Sequence, residues 1–84
     1  MADRITGQAI FTRFHGPGNV KGSRYSATAS MGERIVLATD FALNSEENHI
    51  RAARALADKL AWKGALIGGG TRDQRGYAFT FDRE

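Results

Sequence analysis

The feature that most constrains this fold is a single amphipathic segment near residues 45–62, with strand-like segments on both sides. Apolar residues recur in it at steps of three and four, which is the spacing of one helix face. They are Ile50, Ala53, Leu56, Ala57, Leu60 and Ala61. The spacing predicts one helix with one apolar stripe, and a chain of 84 residues must bury that stripe against its remaining segments.

Both ends of the predicted helix carry residues that favour helix termini. Asn44 or Ser45 can cap the N-terminus, and Asn44 with Glu47 has the spacing of a capping box. Gly64 can adopt the left-handed conformation that often follows the last helical turn. The pattern therefore predicts a helix that begins after Asn44 and ends before Gly64.

Five further segments are rich in the β-branched and aromatic residues typical of strands. They are residues 8–14, 23–29, 34–39, 65–67 and 76–82. The turn at residues 30–33 is short enough to join the second and third strands as a hairpin. The order β-β-β-α-β-β predicts an α+β fold, with an antiparallel sheet of about five strands and one helix packed on one face.

Three consecutive glycines, Gly68, Gly69 and Gly70, follow the fourth predicted strand. Glycine loses more backbone entropy on folding than other residues, so three in a row need a structural reason. We expect a bend, a bulge or the close approach of another backbone at this point.

The length allows one domain over residues 1–84 and is too short for two. Residues 1–7 and 82–84 are expected to be flexible ends. The absence of cysteine favours a reducing compartment and excludes zinc sites built on thiolates. No signal peptide is recognisable, and the longest apolar run is too short to cross a bilayer. We therefore expect a cytoplasmic protein without membrane association.

The net charge is +3, and the whole excess lies within residues 1–30. A local excess of positive charge can attract an anionic partner, although dedicated DNA-binding proteins carry more. A surface that is basic only for solubility accounts for the same count. The charge alone leaves these two interpretations open.

The polar residues do not form a recognisable catalytic pattern. His15 and His49 are the only histidines, and no sequence pattern pairs either of them with a nucleophile or with metal ligands. Glu46 and Glu47 are explained by their place in the first helical turn. We therefore expect no enzyme activity, no metal and no cofactor. His49 is expected to be a packing or capping residue.

The glycine-rich loop from His15 to Gly22 is the most informative segment for function. Consecutive backbone N–H groups in such a loop can form an anion-binding nest. Lys21 adds positive charge, but no Gly-Lys-Ser or Gly-Lys-Thr opens a helix here, so this is not a phosphate-binding P-loop. An ordinary structural turn remains the alternative.

Basic residues also occur between the last two predicted strands, and they can join those of the glycine-rich loop only if the strand order brings the two loops together. The predicted binding residues are Arg13, His15, Asn19, Lys21, Ser23, Arg24, Arg72 and Arg75. Converging on one patch, they would suit a phosphate backbone or an acidic protein surface.

Four segments in this order, residues 16–24, 40–49, 68–70 and 76–79, resemble a group of small, mostly uncharacterised proteins of phages, prophages and plasmids. The resemblance covers roughly residues 8–81. Mobile elements often encode short proteins that block host defences, including anti-CRISPR proteins, by covering a surface of an effector complex. The resemblance implies such a role.

Two functions follow as hypotheses. The first is a non-enzymatic binding protein of a phage or mobile element that inhibits a host defence system by binding an effector protein or ribonucleoprotein. The alternative is a small nucleic-acid-binding accessory or regulatory protein. One helix covers only one face of the sheet, so a homodimer through the other face is also a hypothesis.

Overall fold

Five strands and one helix form where the sequence predicts them. A computed structural model of the chain describes residues 8–16, 22–71 and 76–82. The strands are β1 (Ile10–His15), β2 (Arg24–Ala29), β3 (Arg34–Ala38), β4 (Ala65–Gly70) and β5 (Gly76–Asp82). The helix α1 (Ser45–Lys59) connects β3 to β4. The predicted α+β order, β-β-β-α-β-β, is confirmed.

The strands form one antiparallel sheet in the order β3-β2-β1-β5-β4. The first strand is central, because β1 pairs with β2 on one side and with β5 on the other. Two hairpins, β2–β3 and β4–β5, extend the sheet outwards to its edges. This order places the ends of segments that are far apart in the sequence beside one another.

The core lies between α1 and one face of the sheet. Small residues dominate the contact, since Ala27 and Ala29 of β2 and Ala52 and Ala53 of α1 are all buried. Alanine at these positions lets the helix approach the strands closely. The larger buried apolar side chains are Ile10, Tyr25, Leu56, Phe79 and Phe81.

The buried stripe of α1 is rotated relative to the predicted one. Ile50 remains 43% exposed, so its assignment to the core was wrong. Asn48 and His49 are buried instead. Burial of these polar groups is possible because both form hydrogen bonds, and an unsatisfied buried polar group would be costly. The apolar spacing predicted the helix correctly but did not reveal these hydrogen bonds.

Asn48 joins the helix to the preceding loop. Its Nδ2 lies 3.0, 3.3 and 3.0 Å from the backbone carbonyl oxygens of Asp40, Leu43 and Asn44, and its two hydrogens are shared among these three acceptors. Its Oδ1 accepts from the Asp40 N–H at 3.0 Å. One side chain therefore satisfies several backbone groups of the connection between β3 and α1.

The N-terminus of α1 is as predicted, but its C-terminus is not. Asn44 and Glu47 form the capping box, with bonds of 2.8 and 3.0 Å. The helix ends at Lys59, and the left-handed residue that follows it is Ala61, with φ 58°. The N–H of Trp62 bonds to Ala57 O, and the N–H of Ala61 bonds to Asp58 O, which is the Schellman arrangement. Gly64 also has positive φ, but it lies beyond the cap.

The triple glycine introduces no bulge into β4. The register with β5 is continuous from Ala65, opposite Asp82, to Gly70, opposite Tyr77. A Cβ at Gly68 would lie 2.4 Å from Cδ1 of the Phe79 ring. The close approach expected here therefore exists at Gly68, where the nearest group is the Phe79 ring and the backbone oxygen of Ala78 is also close.

The chain ends are only partly within the described ranges. The expected flexible segments 1–7 and 83–84 lie outside the described residues, whereas Asp82 is the last residue of β5. Strands β1, β2 and β3 differ from their predicted bounds by one or two residues, which is the usual uncertainty of element ends. The described part of the chain contains no helix that is long and apolar enough to cross a membrane.

Candidate functional site

The face of the sheet opposite α1 is the candidate site. Successive side chains of a strand point to opposite faces, so the register assigns every second residue to this open face. The assigned residues include Arg34, Val36 and Ala38 of β3, Arg24, Ser26 and Thr28 of β2, Phe11, Arg13 and His15 of β1, Gly76, Ala78 and Thr80 of β5, and Ala65, Ile67 and Gly69 of β4. We call this surface the open face.

A broad, shallow depression of about 590 Å³ occupies the centre of the open face. Among the described residues, its lining contains basic, hydroxyl and aromatic side chains and no acidic one. The lining residues are Phe11, Thr12, Arg13, His15, Ser26, Thr28, Arg34, Thr71 and Gly76. Such a surface suits an anionic ligand that presents several separate contacts.

Three arginines on three neighbouring strands share the open face with His15 and act on its charge. Arg24 lies directly opposite His15 in the β1–β2 register, Arg13 precedes it on β1, and Arg34 is on β3. Burial lowers the pKa of His15, and the positive charges of Arg24, Arg34 and Arg13 lower it further. The charges of three strands therefore converge on one position of the open face.

His15 is held by a side-chain hydrogen bond. Its Nε2 lies 2.9 Å from Oγ of Ser26 on the adjacent strand. Which of the two atoms donates depends on the tautomer of the imidazole. Ser26 is itself buried, so this hydrogen bond holds the His15 ring against the sheet.

Phe11 is the aromatic residue of the depression. It is 49% exposed although it lies on the central strand. Its cross-strand neighbours are Thr28 on β2 and Ala78 on β5, and both are small. Small neighbours leave the phenyl group accessible to a planar ligand group, and arginines stand on the same face.

The structure brings together some of the predicted binding residues. Arg13, His15 and Arg24 share the open face, as their strand positions require. Ser23 precedes β2, and its hydroxyl is hydrogen-bonded to Thr39 Oγ1 at 2.8 Å. The remaining predicted residues lie outside the described ranges; they are Asn19, Lys21, Arg72 and Arg75.

Among the residues of the open face that sequence reasoning missed are Phe11, Ser26, Thr28 and Arg34. The period of two in each strand contained the signal, since it already places Ser26 and Thr28 on the same side as Arg24. The missing information was the strand order, which sets Phe11 and Arg34 beside them. Strand order depends on contacts between distant segments, and a single strand does not encode it.

The described residues contain no group of three histidine, aspartate or glutamate side chains placed to hold a metal ion. His49, the other histidine, is buried on the helix side of the sheet, where its ring lies between those of Tyr25 and Tyr77. This packing role for His49 agrees with the prediction.

Comparisons of the chain with protein-family models, with curated proteins and with solved structures found no match. The resemblance to small phage and plasmid proteins therefore stays a prediction. By its fold and site the chain is an α+β domain with one helix-covered face and one open, basic face.

Proposed function

We propose that this chain is a non-enzymatic binding protein whose open face binds single-stranded nucleic acid. The observation that carries the proposal is the position of Phe11, exposed at the centre of a sheet face on which Arg13, Arg24 and Arg34 also stand. Proteins that bind single strands combine aromatic groups, on which bases stack, with cations that contact the phosphates. Both elements are present on this one surface.

The shape of the face favours a single strand over a duplex. The major groove of DNA admits a helix or a two-stranded ribbon, whereas the basic residues here lie on the broad face of a five-stranded sheet. The helix α1 is on the opposite side and carries acidic residues at its start, Glu46 and Glu47. Unpaired bases, in contrast, can lie flat on an exposed phenyl group.

The distribution of charge also favours an anionic ligand at this face. Two ion pairs lie on or beside α1. Arg54 pairs with Asp58 at 4.0 Å, and Lys59 pairs with Glu33 at 3.8 Å. Within the part of the chain that the structure describes, the lining of the depression on the open face has no acidic residue. A polyanion is therefore attracted to the open face more than to the helix side.

The first test is charge reversal. Binding of a dye-labelled single-stranded oligothymidylate is measured by fluorescence anisotropy at several salt concentrations. We expect the double variant Arg24→Glu/Arg34→Glu to bind at least about tenfold more weakly and with a salt slope smaller by about 1 to 2. Lys63→Glu is the control for one charge reversal outside the open face, because Lys63 is exposed and lies in the α1–β4 connection.

The second test is removal of the aromatic group. Phe11→Ala should weaken binding by about 1–3 kcal/mol if one base stacks on this ring. Phe41→Ala is the matched control, since Phe41 is 86% exposed and lies in the loop before α1. The proposal would be contradicted if Phe11→Ala and Phe41→Ala bound the oligonucleotide equally well. It would also be contradicted if the double arginine variant bound as well as Lys63→Glu.

A second candidate is a host effector protein or ribonucleoprotein, bound in the cytoplasm of a host cell as an inhibitor of defence. The edge strands favour it: β3 and β4 end the sheet and expose apolar Val36 and Ile67. Edge strands can pair with an added strand of a partner. Pull-down from host lysate, with and without nuclease, separates the candidates. Capture that survives nuclease supports the protein partner, and capture that nuclease abolishes supports nucleic acid.

A further inference from the structure

We propose that His15, Ser26 and Arg24 form a subsite for one phosphodiester group of the bound strand, and that His15 takes up a proton when the strand binds. This inference rests on the proposed nucleic-acid function and adds a named contact and a pH dependence to it. The geometry that supports it is the position of His15 directly opposite Arg24, with Nε2 2.9 Å from Ser26 Oγ.

Protonation of His15 changes what Ser26 offers to a ligand. In the neutral tautomer with the proton on Nδ1, Nε2 accepts a hydrogen bond from the Ser26 hydroxyl. In the imidazolium, Nε2–H donates to Ser26 Oγ, and the hydroxyl proton is released to donate to a phosphate oxygen. From this tautomer, one proton supplies a positive charge and an additional donor at the same place; from the Nε2–H tautomer, which already donates to Ser26 Oγ, it supplies the positive charge alone.

The charged surroundings make the protonation depend on the ligand. The charged groups among the described residues that face His15 are all cationic: Arg13 from its own strand, Arg24 from β2 and Arg34 from β3. Together with burial, they lower the pKa of His15 in the unbound protein. A phosphodiester anion among these cations offsets their repulsion and raises the pKa of His15 in the complex.

The sign of the pH dependence follows from this difference. Since the pKa of His15 is higher in the complex than in the unbound protein, binding takes up a proton. The additional affinity is fully present below the pKa of His15 in the unbound protein. It is lost as the pH rises through the pKa of His15 in the complex. The phosphodiester itself stays ionised over this range, so the titrating group belongs to the protein.

The experiment compares the wild-type chain with His15→Gln, which retains hydrogen-bonding groups but does not titrate. The probe is an oligothymidylate with a pH-insensitive rhodamine dye, because thymine bases do not titrate between about pH 5.5 and about pH 8. We expect wild-type affinity to increase about tenfold as the pH falls through this range. His15→Gln should show a nearly flat profile.

Ser26→Ala provides a second readout. It removes the hydroxyl donor but leaves His15 able to titrate, so we expect weaker binding mainly at low pH and a shallower profile than that of the wild type. Circular dichroism at each pH confirms that each variant is folded.

The outcomes separate this inference from the proposal on which it rests. If the wild type and His15→Gln bind with the same pH profile, the subsite is overturned. The proposed nucleic-acid function is not affected by that result. Absence of oligonucleotide binding at every pH overturns the nucleic-acid function itself. A profile present in the wild type and lost in His15→Gln supports the subsite.

Discussion

Thr12 on the central strand and His49 on the helix are joined by a buried hydrogen bond, with Oγ1 and Nδ1 2.7 Å apart. The His49 ring also packs edge-on against Tyr25 and at a tilt against Tyr77, with ring centroids 4.8 and 4.6 Å away. Burial lowers the pKa of His49, because the charged imidazolium would lose its hydration in this position. The folded state therefore favours neutral His49.

The first prediction is that the protein loses stability in mild acid. The unfolded chain binds a proton at His49 near the ordinary pKa of 6.5, while the folded chain resists it. Stability is thus fully present above that pH and falls as the pH drops towards the lowered pKa of the folded state. Urea denaturation midpoints between about pH 7.5 and about pH 5 measure the slope.

Two variants test which group causes this pH dependence of the urea midpoint. His49→Leu removes the buried titrating group and should weaken the pH dependence of the midpoint. His15→Gln is the comparison, because the pKa of His15 is also lowered; this variant should retain the part of the pH dependence that belongs to His49. A His49→Leu slope equal to that of the wild type would show that other groups are responsible.

The second prediction concerns the end of α1. Ala61 has φ 58°, a left-handed conformation that costs a residue with a Cβ about 1–2 kcal/mol. Ala61→Gly should therefore raise the free energy of unfolding by about 1 kcal/mol. Ala55→Gly, in the middle of α1, should lower it by about 0.5–1 kcal/mol. Destabilisation by both substitutions would mean that Ala61 does not end the helix in this conformation.

The third prediction concerns the glycines of β4. A methyl group at Gly68 would meet the Phe79 ring, whereas one at Gly69 would have no atom within 4 Å. Gly68→Ala should destabilise the fold by about 1–3 kcal/mol through overpacking. Gly69→Ala should be neutral or stabilising by about 0.5 kcal/mol, because alanine restricts the unfolded chain. Thermal denaturation of the two variants measures the difference between their free energies of unfolding. Equal destabilisation by Gly68→Ala and Gly69→Ala would argue against the Phe79 contact.

The fourth prediction concerns Asn48, which is almost fully buried and bonded to the backbone of the loop before α1. Asn48→Ala leaves the Asp40 N–H without this acceptor and should cost about 2–3 kcal/mol. Hydrogen exchange of the Asp40 amide should accelerate at the same time. Asn44→Ala is the comparison, since loss of an N-cap typically costs about 1 kcal/mol and does not affect the Asn48–Asp40 bond. An unchanged Asp40 exchange rate in Asn48→Ala would contradict this account.

The fifth prediction concerns self-association. A symmetric dimer through the open face would bring Arg13, Arg24 and Arg34 of two copies together. Like charges repel, and salt screens them, so we expect such a dimer to strengthen as salt is added. Light scattering at high protein concentration measures the mass. A monomer mass at low and at high salt would remove the dimer hypothesis.

Local patterns predicted most elements of this fold. The helix follows from its apolar spacing and from the capping box of Asn44 and Glu47, which involve residues only a few positions apart. Each strand follows in the same way from its β-branched and aromatic residues and from its period of two. Arg13, His15 and Arg24 could be selected as binding candidates because they stand in or beside a basic, glycine-rich segment.

The sequence by itself therefore determined the elements, their order and the alternation of faces, because these depend on neighbouring residues. The tertiary structure decided the strand order, the rotation of α1 and the contact between Gly68 and Phe79. These depend on pairing and packing between segments far apart in the chain. Only that pairing placed Phe11 and Arg34 on one face with His15, since each strand specifies its two faces but not its neighbours.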